Sequence, residues 1–402
     1  MKKVLLAGTA LVGAALLSTP AHADLKLDLG GYFRGYAVYS DNDEVTGSDD
    51  QQFELRRDTE VHFSGETTTD AGLTVGVHSE LKLGGQGTAF NAGNTNVYDF
   101  NHTNNGQSLT DEAYIYFSGG WGRVNVGSED GAAYLLQVAA PSADSNIDGL
   151  RVYIQSFDSA AWAGFTNNNR VGFQQTTLGY DNADFKAADR FTYLTPKWNG
   201  FQAGVSYAPN SYQEQVFGAT QAPQQTANNV QYDNIWEASA RWDGEFDGFG
   251  ISFGGGYSHA NSETPGAAAT AIGSDDLTTW DAGLNVTFQD FSVGAAYKTS
   301  NTGVDTDGDL DTWVLGAAWD NGPYHVGLSY ADFNGDTNTF GGAALGAGTG
   351  IDLQRWTVGG GYTYGPGMTF RGSLAYLNVD SDAVLAGADS QYQVAIGTDV
   401  NF

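Results

Sequence analysis

The chain has 402 residues, no cysteine, and a formal charge of −30 from 47 Asp and Glu against 17 Lys and Arg. That acidity excludes nucleic acid as a partner, because binding a phosphate backbone needs clustered cations. The missing thiols exclude disulfide staples and thiol catalysis, so stability must come from backbone hydrogen bonding and burial.

The first residues set Met1-Lys2-Lys3 before an apolar run from Val4 to Leu17, followed by Ser18-Thr19-Pro20 and Ala21-His22-Ala23. A basic start, a short apolar centre and small residues before a cleavage point predict an export signal over 1–23. The run is shorter than the roughly 20 residues a spanning helix needs. Losing Lys2 and Lys3 would take the charge from −30 to −32. From 24 to 402 there is no linker, composition shift or Pro-rich hinge, which predicts one domain.

Residues 25–40 alternate: Leu25, Leu27, Leu29, Phe33, Ala37 and Tyr39 share one phase, Lys26, Asp28, Arg34 and Ser40 the other. Since successive strand side chains point to opposite faces, this predicts a strand with one apolar and one wet face. The same dyad runs through 53–64 and 73–83, joined by Asp70-Ala71-Gly72. Arg57 falls on the apolar phase of the second strand, as either a bulge or a patch turned toward another subunit, since a lipid-facing arginine costs about 2–4 kcal/mol.

Further strands are predicted at 111–118, 121–127, 188–197, 200–208, 233–246, 249–261, 277–289, 290–300, 310–320, 323–333, 352–364, 367–379 and 390–402. Short connections such as Asn199-Gly200 and Asp247-Gly248 alternate with long polar ones. The expected fold is therefore all-β: a sixteen-stranded antiparallel transmembrane barrel with short periplasmic turns and long external loops. Aromatics on the apolar phase recur six to eight residues apart, as Trp280 and Phe288 or Tyr324 and Tyr330, which predicts two interfacial girdles.

The run Asp305-Thr306-Asp307-Gly308-Asp309-Leu310-Asp311 gathers carboxylates suited to a hard cation. Its glycine stands fourth and no Glu follows at position twelve, so Asp305, Asp307, Asp309 and Asp311 also read as an acidic external loop that divalent ions bridge loosely. No Gly-x-Ser-x-Gly elbow or His-Glu-x-x-His segment is present, and His22, His62, His78, His102, His259 and His325 are scattered. No enzyme and no cofactor are expected, apart from loosely held Ca2+ at the external loops.

Three segments together resemble the Gram-negative general porin family, especially porins of photosynthetic and related alphaproteobacteria. They are Leu29-Gly30-Gly31-Tyr32-Phe33-Arg34, the run from Trp121 to Gly131, and Tyr193-Leu194-Thr195-Pro196 continuing to Pro209, beside a last strand that ends on Phe402. The resemblance implies a homotrimer in the outer membrane of a Gram-negative bacterium, in contact with lipid and lipopolysaccharide. It also implies insertion by the barrel-assembly machinery through the Phe402 strand. The third external loop would fold inward and set its acids against a basic cluster on the wall.

Mapped by order, that loop starts after Gly127 and runs to about Asp184. It offers Glu129, Asp130, Asp144, Asp148 and Asp158 against Arg34, Arg56, Lys82 and Arg123. The implied function is passive diffusion of small hydrophilic solutes and ions with a mild cation preference. A substrate-selective pore with a lumenal binding site and a non-conducting structural or adhesin barrel remain as alternatives.

Overall fold

A computed structural model describes residues 26–42, 52–83, 110–143, 180–182, 185, 188–211, 232–262, 275–301, 309–336, 350–381 and 390–402. Sixteen strands close into one antiparallel barrel. They are β1 Lys26–Asn42, β2 Phe53–Thr68, β3 Thr74–Lys82, β4 Thr110–Gly119, β5 Gly122–Ser128, β6 Asp189–Leu194, β7 Phe201–Asn210 and β8 Tyr232–Phe246. They continue as β9 Phe249–Ser262, β10 Leu277–Phe288, β11 Phe291–Ser300, β12 Leu310–Asn321, β13 Tyr324–Asp336, β14 Gly350–Gly365, β15 Met368–Ser381 and β16 Ser390–Asn401. The sequence alternation placed nearly all of these ends to within a residue or two, with the larger misses at the ends of β2, β6 and β13.

The hairpin turns follow from residue type. Asn199 and Gly200 both take positive φ (46° and 85°), as do Asp247 and Gly248 (50° and 81°). Two consecutive left-handed residues match the twist of the flanking strands, and Asn-Gly and Asp-Gly are the pairs that adopt them at least cost. Closure joins β1 to β16 from Tyr32 opposite Asn401 to Asn42 opposite Gln391. Beyond the last strand, Phe402 and Gly31 exchange two backbone hydrogen bonds of 3.1 Å. With both edges paired, no row of open N–H and C=O groups is left to the bilayer.

The apolar phase faces outward, where Leu27 and Leu55 are 77% and 78% exposed. Aromatic pairs form two rows on the outer wall. One joins Tyr207 to Trp236, Tyr257 to Trp280, Tyr297 to Trp313, Tyr330 to Trp356 and Tyr376 to Tyr392, with centroids 4.2–4.7 Å apart. The other joins Trp242 to Phe253, Phe249 to Phe288, Tyr324 to Tyr362 and Tyr364 to Phe370. Registered cross-strand rings of this kind stabilise neighbouring strands and seat the barrel at the two polar boundaries of a membrane.

The outer face of β1 and β2 also carries a charge. Arg57 stands exposed there, opposite Gly35 and between Leu55 and Thr59. Pairing of β1 with β2 is unbroken from Lys26–Glu66 to Tyr39–Phe53. The bulge that could have turned Arg57 inward is therefore absent, and its side chain points away from the lumen.

Candidate functional site: the lumen and its inward loop

The chain leaves β5 at Ser128 and turns into the barrel, not away from it. A single helical turn, α1 (Ala132–Leu135), is followed by an extended stretch to Ala143. This first limb lies against the lumenal faces of β7–β13, and glycines of β7 and β9–β13 let it come close. An added Cβ at Gly204 would meet Ala132 and Leu136, and one at Gly254 would press on Val138. Added at Gly283, Gly316 or Gly327, it would overlap the backbone of Val138, Pro141 or Ser142. The absence of side chains lets backbone pack directly on backbone.

The returning limb locks onto the first. Gln137 donates to the Tyr180 carbonyl at 2.9 Å and accepts from the Asn182 amide at 3.1 Å. Asn182 donates to Asp281 on β10 at 2.7 Å, and Lys298 on β11 donates to the Asp181 carbonyl at 3.1 Å. Beneath the loop, Val314, Phe333, Leu353 and Leu377 are buried on lumenal positions together with Ala140 and Tyr180. A uniformly wet inner face, the expectation from alternation, therefore fails on β12–β15. The loop converts that wall into a second apolar core.

Both loop ends meet at one buried ion pair. Arg190 on β6 pairs with Glu237 on β8 at 2.9 Å, with side chains 1% and 3% exposed. Arg190 also donates to the carbonyls of Phe185 and Ala188. Ser206 on β7 donates to the second Glu237 oxygen at 2.8 Å and accepts from the Ala132 amide at 3.1 Å.

Along β15 to β5 through the closure, the lumenal wall is lined by charges that compensate one another laterally. Arg371 bonds Asp399 at 2.6 Å, and Tyr36 donates to the same carboxylate at 2.9 Å. Arg34 pairs with Asp58 at 3.4 Å and lies 3.8 Å over the Tyr32 ring. Arg56 bonds Glu54, and Lys82 pairs with Asp111 at 2.8 Å and Glu60 at 3.6 Å. The four wall cations chosen from the sequence do share this surface, but interleaved with acids from the same and adjacent strands. Glu54 and Asp58 flank Arg56, and Glu80 precedes Lys82, two residues away on the same phase, so the alternation that aligns these cations aligns acids with them.

Glu129 and Asp130 do not face that wall from across the lumen. Asn125 donates to both Glu129 oxygens at 2.6 and 2.7 Å and accepts from Arg123 Nε at 2.7 Å. One residue past the strand end spans less than about 3.6 Å of chain, too little to cross a barrel, so Glu129 folds back onto β5. Burial pushes its carboxyl up to about 7, against the stabilising Asn125 amide and Arg123 charge. The Asp130 amide donates to Glu112 at 3.4 Å. Asp144, Asp148 and Asp158 lie outside the described residues, as do Asp305 and Asp307. Asp311 accepts from Tyr297 at 2.7 Å, and among the described residues neither it nor Asp309 belongs to a group able to hold a metal.

The histidines are less scattered than the sequence suggests. His62 and His78 lie with ring centroids 5.9 Å apart on adjacent strands of the wall. With Tyr32 and Tyr114 they form a row that runs around the barrel, not along its axis.

A family model described as Gram-negative porin matches residues 7–382. In fold the chain is similar to the anion-selective porin from Comamonas acidovorans, with a TM-score of 0.58 at 17% identity over 94% of this chain and 100% of that one. It is also similar to engineered variants of the Rh. blastica porin. Two of these reach a TM-score of 0.53 at 16% and 17% identity, again over 94% of this chain and 100% of theirs. No curated protein sequence matches.

Proposed function

This chain belongs to the Gram-negative porin family of outer-membrane channels, and we propose that it passes small hydrophilic solutes and ions by passive diffusion, with a mild preference for cations. The observation that carries this reading is the charge on the lumenal wall from β15 to β5. There Glu54, Asp58, Glu60, Glu80, Asp111, Glu112 and Asp399 outnumber Arg34, Arg56, Lys82, Arg123 and Arg371, in a chain whose formal charge is −30. Fixed negative charge in a narrow aqueous lumen concentrates cations and repels anions. The fold neighbour from Comamonas acidovorans is described as anion-selective; the balance of wall charge argues for the opposite sign here.

Reversal potentials across planar bilayers under a KCl gradient test this. Cation preference is expected at pH 8 and should weaken at pH 6, because Glu129, raised to about 7, gains its proton over that interval. Glu129→Gln should reduce the slope. Anion preference in the wild type at pH 8 would overturn the reading.

On the same reading residues 1–23 leave on export and 24–402 form the barrel. The Phe402 strand serves assembly, and lipopolysaccharide meets the external loops. Three copies associate through the outer faces of β1 and β2, which carry Arg57 where lipid contact would cost about 2–4 kcal/mol. Arg57→Ala is expected to lower the temperature at which the trimer dissociates on semi-denaturing gels. An unchanged temperature counts against this interface.

A further inference from the structure

We propose that His62, His78 and Glu80 form a binding site for a divalent transition-metal ion of the zinc class on the lumenal wall. Nε2 of His78 lies 2.9 Å from Glu80 Oε1, and Nε2 of His62 lies 3.7 Å from the same oxygen. All three donor atoms fall within 4.8 Å of one another. Tetrahedral zinc with ligands at 2.0–2.1 Å sets its donors about 3.4 Å apart, so the observed spacings bracket the required one.

The donor chemistry chooses the metal. Two imidazoles and one carboxylate suit zinc, copper or nickel, whereas calcium asks for six or more oxygens. Three protein ligands leave a position open to lumenal water, or to Glu60, whose Oε2 is 3.1 Å from His62 Nε2. Lys82 sits between Glu60 and Asp111, so the neighbouring acidic trio already holds a cation and Glu80 is the carboxylate left for the metal.

The surroundings hold the ligands in place. Ser64 bonds His78 Nδ1 at 2.8 Å, an outer contact of the kind that fixes a ligating ring and directs Nε2 to the metal. Tyr32 packs edge-on against His62 at 5.9 Å and Tyr114 against His78 at 5.4 Å. Both histidines ride on paired strands, with His62 opposite Glu80 and Ser64 opposite His78. Strand-borne sites are held more tightly than loop-borne ones. His78 is also opposite Tyr114, itself opposite Gly127, which puts the site on the band of wall where the inward loop begins.

Binding needs only the barrel, while its effect on current rests on the channel reading. The purified full chain in detergent, equilibrated with Zn2+ and dialysed, is expected to retain about one ion per chain by elemental analysis. The double variant His62→Ala/His78→Ala should bind about tenfold or more weakly, and Glu80→Gln should also bind more weakly. Heat-shifted gel mobility confirms that each variant barrel is folded. Excess Ca2+ should not displace the zinc. In planar bilayers Zn2+ should lower wild-type conductance and spare the double variant. A wild type that retains no zinc, or a folded double variant that retains as much, overturns the site. Zinc retained by a wild type that conducts nothing supports the site and overturns the channel reading instead.

Discussion

Replacing Arg190 by alanine is expected to unfasten both ends of the inward loop, raising single-channel conductance and lowering the barrel's thermal stability. Its guanidinium holds the Phe185 and Ala188 carbonyls of the returning limb and the Glu237 carboxylate. Glu237 in turn fixes Ser206, which receives the Ala132 amide of the departing limb. Removing one member of a buried pair strands the other charge and costs about 3–5 kcal/mol. Removing both strands none, so Arg190→Ala/Glu237→Ala should recover part of the stability while keeping the enlarged conductance. Arg190→Lys carries the charge but lacks the planar fork that reaches three acceptors at once, and should fall between. Wild-type conductance and unfolding temperature in Arg190→Ala would rule out the clasp.

What could be read from the sequence follows from what alternation encodes. Period two fixes which side chains share a face, so β1 to β16, the outward aromatics and the anomaly at Arg57 were all legible. It does not fix which residues of neighbouring strands meet, because that depends on register. His62 and His78 are sixteen positions apart, and only the pairing of Glu60 with Lys82 through Thr68 with Thr74 brings them together. Arg190 and Glu237 lie on the polar phase of their strands, and alternation does not separate a buried lumenal charge from a wetted one. Their burial comes from the loop, which obeys no period. The same loop explains why Phe333 and Leu353 point inward: a strand apolar on both faces signals a covered wall, as in the Trp313-Val314-Leu315 run of β12. The reach of Glu129 was legible but misjudged, since one residue of chain past Ser128 cannot span the lumen.

The glycine track makes the second large prediction. Within a strand, glycine is ordinarily worse than alanine by roughly 0.5–1 kcal/mol, so substitution on a free wall should be neutral or stabilising. Gly250→Ala is such a control: the added Cβ would meet Thr287 only at ordinary contact, 3.7 Å. At Gly283 and Gly316 the same methyl would enter the carbonyls of Val138 and Pro141. Neither strand nor limb can yield without breaking its own ladder or anchor, and overpacking of this kind costs about 1–3 kcal/mol per site. The limb has fewer partners than the wall, so the limb should move. Gly283→Ala/Gly316→Ala is therefore expected to keep the folded gel mobility of the barrel, raise conductance and admit protease to the segment around Pro141. Gly250→Ala should change none of these. Matching behaviour in the two variants would mean that the loop is held by its ends alone, and the effect of Arg190→Ala would then account for the whole of its attachment. Unequal behaviour would assign the aperture to two separable causes, the Arg190 clasp that fixes where the loop begins and ends and the bare backbone that fixes how closely it follows the wall between them.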